Sequence, residues 1–347
     1  MSVSIDICDS HIKIIEGEEQ GNNIKIKKTI VKDINISYIH NGYVTNKIDL
    51  TLALTDIVNE YNLKNKDCYL SINSTDTITK ELVLPKTKGI YLKNLVKNSI
   101  KELFGDTTNL CLDYHIYEEF KKDDKDFYKI FVYGMPLKIV QDYKVVITNS
   151  GLIPKGLDIK RNCISKILNY KINDNFIKNN TTLFIEISGN NMVLNLMSGN
   201  IALYKRDIDI SEDVKREKIF LNQENKEEEE NFLKEVAATV TKNDDEITFL
   251  EEQDHFLEEA SFISPILLRV SEEIHKIMQF SMSLNNANIE RVYLYGDREN
   301  LEEIEEYIDS NIISPTEKIR EISNVISIEK IDISKFFNAI GNILRKW

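Results

Sequence analysis

Ser4–Lys13 (SIDICDSHIK) and Leu183–Ile208 (LFIEISGNNMVLNLMSGNIALYKRDI) are the two stretches on which the reading of this chain turns. Apolar and polar residues alternate along both, the period of a half-buried strand, and Asp9-Ser10, Gly189-Asn190-Asn191 and Ser198-Gly199-Asn200 supply the turns. Outward from the first stretch, His11–Gly17 and Ile24–Ile34 continue the alternation across a turn at Gly21-Asn22-Asn23, which predicts a three-stranded meander. The second stretch predicts another. A shift of about 180 positions lays Ile5, Asp6, Ile7 and Cys8 over Ile185, Glu186, Ile187 and Ser188, so the chain reads as an internal duplication.

Each meander leads into helix and strand patterns. Ile48–Tyr61 predicts a helix and Cys68–Ile72 a strand. In the second half, Ser264-Pro265 opens a helix whose buried stripe is Leu267, Val270, Ile274, Ile277 and Met278. Strand Arg291–Tyr295 and, after Gly296, helix Asn300–Ile308 follow. Between the halves the order is helix Ile90–Phe104, strand Leu110–Phe120, hairpin Lys121–Asp126, strand Phe127–Gly134 and helix Pro136–Asn149, a small α+β unit. The predicted class is α/β, a duplicated two-lobe fold of ribonuclease H-like type with an inserted α+β subdomain. The first lobe takes residues 1–79 and 159–180 with a closing helix at 331–347. The subdomain takes 80–158, and the second lobe takes 181–330 with an acidic segment at 209–260.

At 347 residues the chain can bury a large core, and 42% hydrophobic residues with twelve Gly and five Pro predict compact, closely joined lobes. A formal charge of −13 excludes a phosphate-tracking surface, so no nucleic acid is expected as partner. Cys8, Cys68, Cys111 and Cys163 lie far apart without a CxxC pair, which fits reduced thiols and predicts neither disulfides nor metal. MSVSIDICDS lacks the features of an export signal, and no apolar run approaches the ~20 residues of a membrane span. The expected location is therefore cytoplasmic, with the membrane reached only through a partner. The acidic run including Glu227–Glu230 reads as a solvated helix face or flexible insertion.

The same residues carry a resemblance. Ser4–Lys13 resembles the first phosphate motif of the PilM branch of the actin-like ATPase superfamily, Asp-Ile-Gly-Ser-Ser-x-x-Lys, with Cys8 in place of the glycine. Leu183–Asp207 is similar to the second phosphate hairpin, Glu272–Phe280 (EEIHKIMQF) to the helix before the adenosine motif, and Tyr293–Asp297 (YLYGD) to that motif. More specific is the middle: LDYHIYEEF, the strand ending at Met135-Pro136, and SGLIPKGLDIK at Ser150–Lys160 resemble the PilM family nearly end to end. Proteins of the FtsA type share an insertion there, but Gly-Leu-x-Pro-x-x-Leu-Asp at Gly151–Asp158 favours PilM. Phe336–Arg345 (FFNAIGNILR) is similar to the family's closing helix, so the likeness covers most of the chain outside Ser211–Glu259.

The resemblance implies an actin-like cleft taking ATP with Mg²⁺, at Asp6, Cys8, Ser10, Lys13, Glu186, Ser188, Gly189, Gly296 and Asp297. Three contact points depart from the pattern. Cys8 adds a side chain where backbone must approach a phosphate, Glu186 replaces Asp near a geometrically demanding Mg²⁺, and Gly296 is followed by Asp297-Arg298 rather than a second glycine. A degenerate nucleotide site without hydrolysis is expected, and no catalytic residue is nominated. Asp6, Ser10 and Lys13 fit equally an edge-strand polar set and a turn, and His11, His115 and His275 read as ordinary surface or half-buried residues.

By the same resemblance the function is a scaffold of type IV pilus assembly at the inner face of the cell membrane. It would bind the N-terminal cytoplasmic tail of a PilN-like single-span membrane protein, with the pilus motor ATPase as a further partner. The implied peptide groove lies between the first lobe and the subdomain, near Leu84, Pro85, Tyr133, Met135 and Pro136, although the prolines also fit element ends and Tyr133 a core position. Two other classes compete. The stripe Phe336, Phe337, Ile340, Ile343, Leu344 and Trp347 beside Lys335, Arg345 and Lys346 could lie on a membrane, as in an FtsA-like filament protein. A small-molecule kinase would need the phosphate glycines that Cys8 interrupts.

Overall fold

A computed structural model describes residues 1–169, 180–219, 264–285 and 287–344. The alternation of the first meander becomes β1 (Ser2–Ile7), β2 (His11–Gln20) and β3 (Asn23–Asp33). β1 and β2 pair antiparallel with Ile5 opposite Ile14 and Asp6 opposite Lys13. A two-stranded hairpin, β4 (Ile39–His40) and β5 (Tyr43–Val44), leads into α1 (Lys47–Glu60), whose first turn is capped by the Asn46 side chain accepting from the Asp49 N–H. α1 buries Leu50, Leu54, Ile57 and Val58 against the sheet. β6 (Asp67–Ile72) then adds parallel to β1.

The inserted unit consists of β7 (Ile78–Pro85), α2 (Ile90–Phe104), β8 (Leu110–Lys122) and β9 (Lys125–Pro136), in sheet order β7-β9-β8. The β8–β9 hairpin turns at Asp123-Asp124, both with positive φ, as a tight two-residue hairpin requires. Leu82, Leu84, Leu92, Val96, Ile100, Tyr128, Ile130 and Val132 form the unit's own core.

The expected boundary at 158 needs correction. α3 (Leu137–Asn149) packs on α1, and β10 (Ile153–Ile159) adds parallel to β6, so both belong to the first lobe and the subdomain closes at Pro136. Local periodicity identifies a helix and a strand but not the sheet they join, because parallel pairing is made with residues distant in sequence. The same reason corrects the other boundary: β16 (Val325–Ser327), expected in the second lobe, pairs with β3 of the first.

After α4 (Lys160–Asn169) the second lobe repeats the first. β11 (Thr181–Ser188), β12 (Asn191–Ser198) and β13 (Ile201–Asp209) form the meander, and a helix, α5, runs over residues 211–219. α6 (Pro265–Asn285), β14 (Arg291–Gly296), α7 (Leu301–Asn311) and β15 (Thr316–Lys318) complete it. The two sheets have matching orders, β3-β2-β1-β6-β10 and β13-β12-β11-β14-β15, with β14 parallel to β11 as β6 is to β1. Most of the acidic segment, from residue 220, lies outside the described residues.

α8 (Ile333–Ile343) joins the lobes. Its Phe336, Phe337, Ile340 and Ile343 share one core with Ile15, Ile24 and Ile26 of the first lobe and Phe184, Met197 and Tyr295 of the second. Gly341 allows this: a Cβ there would stand 2.5 Å from the Cys163 carbonyl oxygen of α4. The stripe offered for a membrane surface is thus interior as far as Leu344, while Arg345, Lys346 and Trp347 lie outside the described residues. No helix among the described residues is long and apolar enough to cross a membrane.

Candidate functional site

The pseudo-symmetric hairpins β1–β2 and β11–β12 meet turn to turn. Cys8 Sγ lies 3.5 Å from Ser188 Oγ, its counterpart in the repeat, and Asn191 Nδ2 donates to Asp9 Oδ2 at 2.8 Å. The contact is tight: a Cβ on Gly189, whose φ is +57°, would stand 2.6 Å from Ser10 Oγ. The Cys8 N–H is turned inward, donating to the His11 carbonyl at 2.9 Å.

Beneath the turns runs a buried charge network. Lys13, 1% exposed, donates to Ser188 Oγ at 3.0 Å and pairs with Asp297 at 2.9 Å and Asp6 at 3.7 Å. Asp297 follows β14 through Gly296, where a Cβ would meet the Ile187 carbonyl at 2.0 Å. Its carboxylate also accepts from the Gly189 N–H at 3.1 Å, from the Ser188 hydroxyl and from His11 Nε2, and the His11 ring is held by Ser10 Oγ at 2.7 Å. Burial pushes the Asp297 carboxyl up, but the His11 hydrogen bond and the Lys13 charge outweigh it and hold the group far below its ordinary range. On the other side of Asp6, Lys160 Nζ stands 2.7 Å from Glu186 Oε1, 3.2 Å from Asp6 Oδ1 and 3.4 Å from Cys8 Sγ. Burial lowers the Lys160 pKa, yet Asp6, Cys8 and Glu186 raise it further, so the ammonium is kept. Burial likewise pushes the Cys8 thiol up, to about 11.

All nine residues expected at the nucleotide site converge here. Sequence reading missed His11, which is in the network rather than an ordinary surface residue, and Lys160, the last residue of the Ser150–Lys160 motif. Cys8 does not take positive φ, so the turn itself does not require glycine there. The chain's own side chains occupy much of the site. Lys160 lies between the two hairpin carboxylates, Asp297 takes the Lys13 ammonium, the Ser188 hydroxyl and the Gly189 N–H, and Arg298 is committed to Glu217 of α5. Beside the network the cleft continues as a cavity of about 520 Å³ bordered by Ile39, Asn41, Asn73 and Tyr143, with Glu186 on its wall. Glu186 Oε2 is buried without a partner.

A second concavity, about 310 Å³, lies between subdomain and first lobe. Tyr133 and Met135 of β9 face Leu157 and Ile159 of β10 across it, and Asp113 and His115 of β8 and Asp158 add polar atoms. Among the described residues β8 is the edge of its sheet, so no described strand pairs with its outer backbone groups. Of the five residues expected at a peptide groove, Tyr133 and Met135 line it and Pro136 caps α3 beside it. Leu84 instead packs in the subdomain core, and Pro85 lies opposite Phe127 at the far end of the sheet. The inward positions of β7 alternate, which places Leu82 and Leu84 under α2 rather than toward the lobe.

A family model described as type IV pilus assembly protein PilM matches residues 4–346. The chain is similar to a chain of the solved PilM-PilN type IV pilus biogenesis complex, at 14% identity over 99% of this chain and 97% of that one, with TM-score 0.74. It is also similar to the ethanolamine utilization protein EutJ from Carboxydothermus hydrogenoformans, at 11% identity over 99% of this chain and 89% of that one, with TM-score 0.52. At such identities the likeness is one of fold, the duplicated two-lobe actin-like architecture. No curated protein matches the chain.

Proposed function

This chain belongs to the PilM family of type IV pilus assembly proteins, and from that premise we propose that it is a docking platform for the cytoplasmic N-terminal tail of a PilN-like membrane protein, with a degenerate nucleotide cleft. The observation that carries the reading is the groove beside β8, which is an edge strand among the described residues. An extended tail laid there can add to the sheet through backbone hydrogen bonds and seat alternate side chains between Tyr133, Met135, Leu157 and Ile159. A chain similar in fold occurs in a complex with PilN, which supports the choice of partner. The platform works at the inner face of the membrane, reaches it only through that partner, and passes the assembly on to the pilus motor without hydrolysing ATP itself.

The test is a titration by fluorescence anisotropy with a labelled peptide copying the tail of the PilN-like protein from the same source. Saturable binding is expected, unchanged by Mg·ATP. Tyr133→Ala, which empties one side of the groove, should weaken binding roughly 10- to 30-fold, the range of an aromatic anchor. Binding that is absent, or indifferent to Tyr133→Ala, refutes the groove assignment.

A further inference from the structure

The cleft contains two opposite ligand-type sites back to back, each filled from within the chain. Four donors converge on one point: the Lys13 ammonium, the Ser188 hydroxyl, the Gly189 N–H and His11 Nε2. That is an anion cradle by its chemistry, and the anion in it is the Asp297 carboxylate. On the other side, Asp6, Cys8 and Glu186 offer ligand atoms within 4.8 Å of one another, all buried, a set suited to a cation. The cation there is the Lys160 ammonium. Each filling links the lobes: Lys160, the first residue of α4 just past first-lobe β10, reaches Glu186 of β11, and Asp297, just past second-lobe β14, reaches Lys13 and His11 of β2.

We propose that Lys160 and Asp297 form an internal latch, one serving as the cleft's cation and the other as its anion, which holds the two lobes closed without any external ligand. The proposal rests on reading the cleft as degenerate and is independent of where a tail docks. Its consequence is that the closed relation of the lobes, and with it the shape offered to partners, does not follow nucleotide levels.

The experiment is chemical rescue followed by thermal melting. Wild-type protein should melt at the same temperature in inorganic phosphate and in chloride of matched ionic strength. Asp297→Ala opens the cradle and should melt several degrees lower, recovering saturably with phosphate. The double variant Lys13→Met, Asp297→Ala should not recover. In parallel, Lys160→Ala removes the cation shared by Asp6 and Glu186, leaving Asp6 only the more distant Lys13 ammonium, and should recover with MnCl₂ but not with added potassium chloride. If Asp297→Ala fails to fold, Asp297→Ser, which also empties the cradle and removes the charge, gives the same comparison. The latch is overturned if phosphate and chloride act alike on the Asp297 variants, or if wild-type protein is itself stabilised saturably by phosphate or by Mg·ATP. Tail affinity of the same proteins, measured by anisotropy, separates this outcome from failure of the docking reading.

Discussion

Replacing Gly341 by alanine tests whether α8 is a bolt shared by both lobes. Two effects oppose each other. Alanine in a helix interior is favoured over glycine by ~1 kcal/mol, so an α8 lying loosely on a surface would become more stable. In the packed arrangement the new Cβ would stand 2.5, 2.7 and 2.8 Å from the carbonyl oxygen, Cβ and Cα of Cys163, where ordinary contact begins at 3.4 Å. These atoms are backbone or bound directly to it and cannot swing aside. α8 would have to withdraw by roughly 0.9 Å, and a gap of that size forfeits up to about half of the dispersion well of each contact it opens. Phe336, Phe337, Ile340 and Ile343 would all lose contact with a core drawn from both lobes. Overpacking of this kind costs ~1–3 kcal/mol, and with backbone on the receiving side we expect the upper part of that range, outweighing the helix gain. The net loss of about 2 kcal/mol lowers the melting temperature by roughly 3 °C for a chain of this size, readable by calorimetry or circular dichroism. A melting temperature equal to or above that of wild type would refute the packing argument and return the helix to consideration as a surface element.

Two further predictions follow from the buried groups. Of the four thiols, Cys111 is exposed while Cys8, Cys68 and Cys163 are buried, so Ellman's reagent at neutral pH should titrate one thiol in the folded protein and four in guanidinium. Because Cys111 borders the groove, a saturating tail peptide should slow that single reaction. Asp297 has its carboxyl held below the ordinary 3.8, with His11, Lys13 and Ser188 facing it, so the unfolded chain binds the proton more readily than the folded one. Its contribution is therefore complete above about pH 5 and lost as the pH falls below 3.8, and denaturation at successive pH values should show a shallower acid limb for Asp297→Asn.

Much of the architecture was legible because it is written in local period. The alternation in Val3–Cys8 and Leu183–Ser188 gave both meanders, and the 180-residue offset gave a pairing that reappears as the Cys8–Ser188 contact. The helices at 90–104 and 137–149 were equally plain. Domain membership was not, because α3 and β16 are assigned by partners far along the chain. At the cleft, residue types marked the place but not its state. Lys160 reads as the end of a strand motif, and only the fold brings it between Asp6 and Glu186. Asp297 looked like a lost glycine, whereas it is a gained carboxylate. At the groove, one-residue alternation separated Leu84 from the surface, and sequence offers no way to tell which face of β7 turns toward α2 until the sheet order is known.

The edge position of β8 among the described strands has a price in solubility. An edge strand that could take an extended peptide is equally open to the same strand of another copy, and β8 runs for thirteen residues, long enough to template such pairing. The strand carries its own brakes: a bulge between Ile116 and Glu118 interrupts its register, and Lys121 and Lys122 charge its end. Those brakes lie toward the hairpin tip, while the half of β8 beside the groove, Cys111 to His115, carries a single carboxylate, Asp113. Purified alone, the protein should therefore self-associate through the groove end of this strand, and a tail peptide that docks there as proposed should keep it dispersed by covering that stretch of edge.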